Sequence, residues 1–589
     1  SKAFGPFDLL DLYGALVHSR ATNASVYISG WDGAGTGAVL ADGGAAVWVP
    51  SGDVRRARYT LTCAWLVIDA DDPSQLARSG RVGGDARLTS VGEWQGLSAA
   101  LQREGLQLVH IPTLLDQLWN EEPNPDNILG ESWRDKVSSV RTELRAVGAD
   151  ALIVTALDEV AWLLNVRGRD LPYARLLKAF VVVSMRDVRV FVPPGKLSVH
   201  VVSDYTSIYS ELRRAPESKI LIPAAGTFQR GASAAIAQSV PPAKRVFLLS
   251  PIIYLKAQKN EAEVKGMKKA HLRDAVAMCT LLNYLEVSDC YSRNDEYEMS
   301  VELKVDITRD TQAGYVGPSM KTRVAYASNA ADPDYRATNA TNKRIFKNAT
   351  LVIQSGGQYD EGTTVVTRTV HYGTASRDER RAYTTVMRAM AALAGLRAPA
   401  ALPAAHADPV ARAPLWAAKQ DYPHPTGHGV GAALARREGN GKHYQVGRYS
   451  SFNQYLLSFF YTEPGWYEMG KYGVRLGNVF EVVPRPNGFL GFREATLLPY
   501  EPKLIEKSML TEYEIMWLNA YNDRIRKEVG PELKARGLND VFYWMMNKTV
   551  PIELPSKAKK LTSSSVEPCT VVQKITNIIL ALTVLHAVV

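Results

Sequence analysis

The feature that most constrains the fold is a recurrence. Between Ala24 and about Asp72, short runs rich in β-formers, ASVYISG, AAVWVP and WLVIDA, alternate with Gly, Asp and Pro turns, and a helical stretch, GEWQGLSAALQREG, follows. After a proline-rich break, NEEPNPDN at 120–127, the chain repeats that make-up. An amphipathic helix, SWRDKVSSVRTELRAVG, leads into the strand-like runs ALIVTA, AFVVVSMRDVRVFVP and KILIP. Strands interleaved with helices specify two successive α/β units. Their similar composition admits an internal duplication, although no repeat is legible letter by letter.

A third region opens near Ser250. Asn260 and Glu263 have capping-box spacing, and Val264, Met267, His271, Ala275, Met278, Leu282 and Leu285 then fall on one face, which predicts a long helix with His271 as a packing residue. Strands and turns run to about Gly373, and Ser376 with Glu379 opens another helix. The Ala/Pro-rich segment 396–418 reads as a loop or ragged helix, and LTEYEIMWLNAYNDRIRKEVGPELKARG as a closing helix. Single cores rarely grow past roughly three hundred residues, so 589 residues imply several domains. The predicted division is an N-terminal α/β domain over 1–119, a second over 120–252, a larger C-terminal domain over 253–555 and a tail over 556–589. The fold class is α/β (α+β).

A formal net charge of +9, spread along the chain with acids interleaved, forms no basic stripe and argues against nucleic acid as a partner. Cys63, Cys279, Cys290 and Cys569 include no CxxC pair, so neither a zinc ribbon nor a disulfide framework is indicated; Cys279 and Cys290 could bridge or remain buried thiols. No GxSxG elbow, HExxH helix or GxxxxGK[ST] loop occurs. At the far end, Ser563, Ser564 and Ser565, the spacer VEPCTVVQK and the largely apolar run 575–589 follow the order of a glycosylphosphatidylinositol signal. That order predicts passage through the secretory pathway and a lipid anchor holding the protein at the outer face of the plasma membrane. Sequons at Asn23, Asn339, Asn348 and Asn547 are predicted glycosylation sites, though about three would arise by chance in such a length.

The stretch QSGGQYDEGTTVVTRTVHYG, 354–373, alternates like a half-buried hairpin and carries no carboxylate where its strands would present one inward. Taken with KNEAEVKGMKKAHLRDAVAMC, HPTGHGVG, TEPGWY and GVRLGNV, in that order, it resembles the creatinase and aminopeptidase P family, whose C-terminal domain has the pita-bread fold. The resemblance is to the three-domain, membrane-anchored Xaa-Pro aminopeptidases, over about residues 26 to 553. It implies two creatinase-type N-terminal domains and a pita-bread domain. It also implies removal of an N-terminal residue preceding proline by two manganese or zinc ions, which two aspartates, one histidine and two glutamates hold around an attacking hydroxide.

Carried over position by position, that ligand set is incomplete. The first aspartate position is Gln354, the second is Val365 and the last glutamate is Gly477, while His428 and Glu463 remain. Two histidines of the surrounding shell are replaced, by Ala325 and Arg437. His424 persists as the remaining proton-handling histidine, and Arg475 persists in the cleft without its glutamate partner. Asp360 and Glu361 lie in the turn, whereas period-two alternation puts Val365 with Thr363 and Thr367 on the ligand face. With Glu463 as the only anionic ligand, two dications would leave uncompensated charge costing roughly several kcal/mol per ion. No cofactor is therefore expected, or at most one weakly held ion on His428 and Glu463, with those residues otherwise facing an empty or water-filled cleft. The expected function is that of a catalytically inactive Xaa-Pro aminopeptidase-like surface protein. Its expected partners are proline-containing peptides, a second copy in a homodimer, or an active paralogue in a heterodimer. The alternative is a genuine Xaa-Pro aminopeptidase with a one-metal site.

Overall fold

The computed structural model describes residues 130–554, apart from 195, 198–201, 227–229, 288–295, 403–405 and 440–455, together with the helix and strand segments between 12 and 127. Asn23, Cys63, Cys290, Cys569, Ser563, Ser564, Ser565 and the apolar tail lie outside the described residues.

The recurrence in the sequence becomes two sheets of one design. The first contains Leu12–His18, Thr36–Leu40, Ala45–Val49, Trp65–Asp69, Arg81–Gly84 and Gln107–His110. Counted from one to six along the chain, these lie in the order 4-3-2-1-5-6. The second contains Ala151–Val154, Phe180–Ser184, Val188–Val192, Val202–Asp204, Ile220–Pro223 and Arg245–Leu248, in the same order. The directions also agree, with 1–2 and 2–3 antiparallel and 3–4, 1–5 and 5–6 parallel in both. Helices Val91–Arg103 and Ala234–Ser239 occupy the same crossover between fifth and sixth strands. The duplication thus survives as topology. A strand buried on both faces asks only for branched apolar residues: Leu152 and Val154 pack with Val137 and Val140 on one side of the second sheet, and Ala151 and Ile153 with Ile208 and Ile236 on the other.

The C-terminal region is built around the predicted helix, Glu261–Val287. Its capping box closes, Asn260 Oδ1 accepting from Glu263 N–H at 2.9 Å and Glu263 accepting from Asn260 N–H at 3.1 Å. His271 is buried, with Nδ1 2.8 Å from the Met267 carbonyl and its ring stacked toward Phe459. Burial pushes its pKa down. Cys279 on the same helix is a buried free thiol whose pKa burial pushes up to about 12. Beneath the helix, Leu351–Ser355 pairs antiparallel with Arg323–Tyr326 on one side and Val366–Val370 on the other. Helices Arg377–Gly395 and Glu512–Ala535 flank this core, each opened by a closed capping box, Ser376 with Glu379 and Thr511 with Glu514.

One expectation needs correction and one alternative is decided. The hairpin is not half-buried: every residue of both its strands is buried, because its second face is roofed by a five-stranded sheet rather than by solvent. For segment 396–418 the helical alternative holds: its described residues include strand Arg397–Pro399 and helix Ala407–Ala417, which tolerates Pro414 while burying Ala407, Ala411 and Leu415. Asn339, Asn348 and Asn547 are exposed, Asn547 within helix Asn539–Lys548. Among the described residues no helix is long and apolar enough to cross a membrane.

Candidate active site

The cleft lies where the central hairpin meets the five-stranded sheet, whose strands run Arg397–Pro399, Phe489–Glu494, Asn478–Arg485, Phe459–Thr462, Gly427–Gly429. The two sheets are stitched by reciprocal backbone hydrogen bonds between Thr367 and Gly477, at 3.1 and 3.0 Å. Alternation then sorts the hairpin: Leu351, Ile353, Val366 and Val370 enter the core below, and Gln354 and Thr367, which are cross-strand partners, point up into the cleft.

Gln354 stands at the first ligand position as an amide, and it is fully employed. Its Nε2 donates to Glu463 at 2.8 Å and to the Tyr461 hydroxyl at 3.2 Å, and its Oε1 accepts from Arg475 at 3.5 Å. An amide keeps the shape of a carboxylate but turns one acceptor into a donor, so it can satisfy Glu463 directly. Val365 is fully buried against Met267, Met320, Val430, Phe459 and Val479, an apolar cluster with no room for a charge. At Gly477 the space beside Cα belongs to Tyr461: a Cβ there would lie 2.6 Å from Cε2 and 2.7 Å from Cζ of that ring. The Tyr461 hydroxyl is 2.5 Å from Thr367 Oγ1, and burial, reinforced by Glu463, pushes its pKa up to about 12.

His428 and Glu463 do not face an empty or water-filled cleft, contrary to the expectation from sequence. The Arg436 guanidinium donates to His428 Nε2 at 3.3 Å, while Nδ1 of that ring lies 2.9 Å from the Gly429 carbonyl. Arg436 is carried by a loop gripped from the second α/β unit. Arg167 donates to the Ala433 and Ala432 carbonyls at 2.6 and 3.1 Å, and Lys256 and Lys259 both hold Glu438, Lys256 at 2.6 Å. Burial and the neighbouring Arg437 push the Arg436 guanidinium down to about 9, with Glu463 opposing them. Arg475 has exchanged a lost glutamate for Gln354 and for Glu463, 3.9 Å away.

The remaining expected residues are dispersed. His424 is held away from His428 by Tyr467, whose hydroxyl is 2.7 Å from Nε2, and by stacking on Tyr422. Ala325 packs with Ala330 and Val352 at the side of the cleft, and Arg437 is exposed. The turn acids are engaged elsewhere, Asp360 within 3.8 Å of Arg175 and Glu361 with Lys269 and Arg273. Sequence reasoning missed Arg436, Arg323 and Tyr461. The arginine pair that follows TGHGVG after four residues was the available signal for the first, and nothing in the sequence alone pointed to the other two.

Comparison with known proteins places this arrangement. Residues 122–263 match the Creatinase/Prolidase N-terminal domain, 265–484 the Metallopeptidase family M24, and 488–552 the C-terminal region of peptidase M24. Xaa-Pro aminopeptidase 2 of Homo sapiens is 32% identical over 571 residues, covering 89% of this chain and 83% of that protein. The chain belongs to the Xaa-Pro aminopeptidase family. Xaa-Pro aminopeptidase 1 of Dictyostelium discoideum is likewise 32% identical, over 89% of this chain and 90% of its own. The crystal structure of the X-prolyl aminopeptidase from Caenorhabditis elegans, described as a cytosolic enzyme with a di-nuclear active site, superposes with a TM-score of 0.81 at 28% identity, over 92% of this chain and 96% of that one. The creatinase-type and pita-bread architecture expected from the resemblance is therefore present.

The residues of this Xaa-Pro aminopeptidase relative do not fit two divalent ions. Among the described residues no group of three or more His, Cys, Asp or Glu could hold a metal. Of the two retained donors, His428 offers its Nε2 lone pair to a guanidinium and Glu463 accepts from an amide. Hard dications need several oxygen donors and charge compensation, and the cleft supplies one carboxylate.

Proposed function

We propose that the protein is a non-catalytic member of its family, a pita-bread scaffold that binds rather than cuts. One observation carries the reading: the space and hydrogen bonds of the missing ligands are taken by other groups, Gln354 on Glu463, Tyr461 beside Gly477 and Arg436 on His428. A site merely stripped of ligands would leave buried polar groups without partners, at a cost of about 1–3 kcal/mol each. Here the two retained ligand residues are both met, Glu463 by Gln354 and His428 by Arg436, and the unpartnered buried groups of the cleft are arginine donors rather than metal ligands. In this role the protein engages peptide termini or a second pita-bread subunit, its own copy or an active paralogue.

The test is the metal content of the purified chain by plasma mass spectrometry after equilibration with manganese and zinc, together with hydrolysis of an Xaa-Pro peptide. Less than one tenth of an ion per chain and no turnover above a buffer blank is the expected outcome. Two ions per chain with metal-dependent turnover would sink the proposal. One ion, with turnover abolished by His428→Ala or Glu463→Ala, would establish the one-metal aminopeptidase instead.

A further inference from the structure

Two arginines of the cleft carry buried donors that no acceptor meets. Arg323 and Arg475 both donate through Nη1 to a single acceptor, the Pro333 carbonyl, at 3.3 and 3.4 Å, so their guanidiniums converge. They line a cavity of about 20 Å³ together with Gln354, Tyr335 and Tyr467. The Nε–H groups of both arginines are buried and have no hydrogen-bond partner. Arg436 stands on the loop opposite, and Arg336 and Arg437 are near enough for their charge to weigh on Arg323. Against these, Glu463 is buried 3.9 Å from Arg475, and buried Glu298 accepts from the Tyr335 hydroxyl of the cavity wall at 2.7 Å; Asp334 is 3.6 Å from Arg323 but 63% exposed, and Asp332 is exposed.

Buried donors without acceptors are rare in proteins and costly to maintain. Guanidinium forks match planar carboxylate and phosphate oxygens better than any other side chain does. We infer that the cleft which takes two cations in an active family member takes, in this chain, a single oxyanion, a carboxylate or phosphate group, held by Arg323 and Arg475 with Arg436 closing from the loop. This rests on the reading that the metal ions are absent, since an ion beside Glu463 would compete for the same space. At about 20 Å³ the cavity has room for roughly one water-sized group, so a single oxygen of the anion enters it and the rest of the anion lies outside. In this reading the cleft presents guanidiniums to its ligand where a di-nuclear site would present carboxylates to metal.

The experiment is a calorimetric titration of the full chain in EDTA, at constant ionic strength, with inorganic phosphate in one arm and acetate in the other. One saturable site is expected, weakened about tenfold or more by Arg323→Gln and by Arg436→Gln, and unchanged by Arg524→Gln on the distant closing helix. Tighter phosphate binding identifies a phosphoryl ligand, and tighter acetate binding a carboxylate such as a chain terminus. Absence of saturable heat with either anion up to about 10 mM overturns the inference, as does binding that both cleft variants leave unchanged. Should either variant fail to fold, phosphate protection of Arg323 from phenylglyoxal in the wild-type chain, mapped by mass spectrometry, decides the same question: protection supports the site and equal labelling refutes it. A metal-free chain that binds no anion defeats this inference alone. Two bound ions with peptidase activity defeat the reading beneath it.

Discussion

Replacing Gly477 by alanine tests whether packing has closed the last ligand position. The new methyl would sit 2.6–2.7 Å from two ring carbons of Tyr461, well inside contact distance, in a strand pair whose backbone is pinned to Thr367 from both sides. Overpacking of this kind costs roughly 1–3 kcal/mol. Alanine also restricts the unfolded chain, which returns about 0.4–1 kcal/mol. The net expectation is destabilisation by about 1–2 kcal/mol. Truncating the ring by Tyr461→Ala should alone cost about 3–5 kcal/mol, since it empties a buried site and deprives Gln354 and Thr367 of a partner. In that background the methyl meets no ring, so Gly477→Ala should become neutral or stabilising. The cycle therefore predicts a reversal of sign, a coupling of about 1–3 kcal/mol. Hydrogen exchange of Leu351–Ser355 and Val366–Val370 across a urea series isolates this region from the N-terminal sheets. Equal effects of Gly477→Ala in the two backgrounds would refute the argument.

Other consequences can be measured the same way. Val365→Asp buries a carboxylate among Met267, Met320 and Phe459 and should destabilise by about 3–5 kcal/mol at pH 8. Its folded-state pKa would be raised, so the penalty should shrink as pH falls toward 5; an unchanged penalty would show that the site admits water. Glu438→Gln leaves Lys259 facing a neutral amide, while Lys256 keeps Asp158 at 2.9 Å, and should cost about 3 kcal/mol, with faster exchange across 429–438. Burial works to raise the Glu438 pKa, but the two lysines outweigh it and hold it below the ordinary carboxylate value, so this stabilisation is present above that value and disappears on further acidification. Burial pushes the Glu302 carboxyl up to about 7, so the folded state favours its protonated form and stability should decline as pH rises from about 4.5 toward 7. Glu302→Gln should flatten that decline; an identical pH profile for the two proteins would exclude Glu302 as its source.

Much of this was legible because the signals were local. Two openings, Asn260 with Glu263 and Ser376 with Glu379, placed two helices, since each rests on two residues three apart. Strand alternation in the runs around SGGQY and TTVVTRT also gave which side chains face inward, and Gln354 and Thr367 do share the cleft face. What could not be read involved reach. Arg436 extends a long side chain from a loop to a histidine eight residues back, and Arg323 and Arg475 meet at a carbonyl that neither sequence neighbourhood contains. Period-two reasoning also took the hairpin as half-buried because a strand's own letters do not say what roofs its polar face. Thr367 and Gln354 are polar and wholly interior, satisfied by Tyr461 and Glu463 from another sheet.

The interlock of Gly477 with Tyr461 bears on the path by which such a chain could regain a ligand. A glutamate restored at 477 meets the aromatic ring, and removal of the ring first opens a hole in a buried layer. Either order begins with a step downhill in stability, and neither step alone adds a working ligand, because Gln354 and Val365 would still need to become acidic. Selection for activity has nothing to act on until several changes coincide, while selection for a folded chain opposes each of the first ones. The packing of Tyr461 against Gly477 thus works as a ratchet: it holds position 477 small by sterics alone, independent of any demand for the reaction.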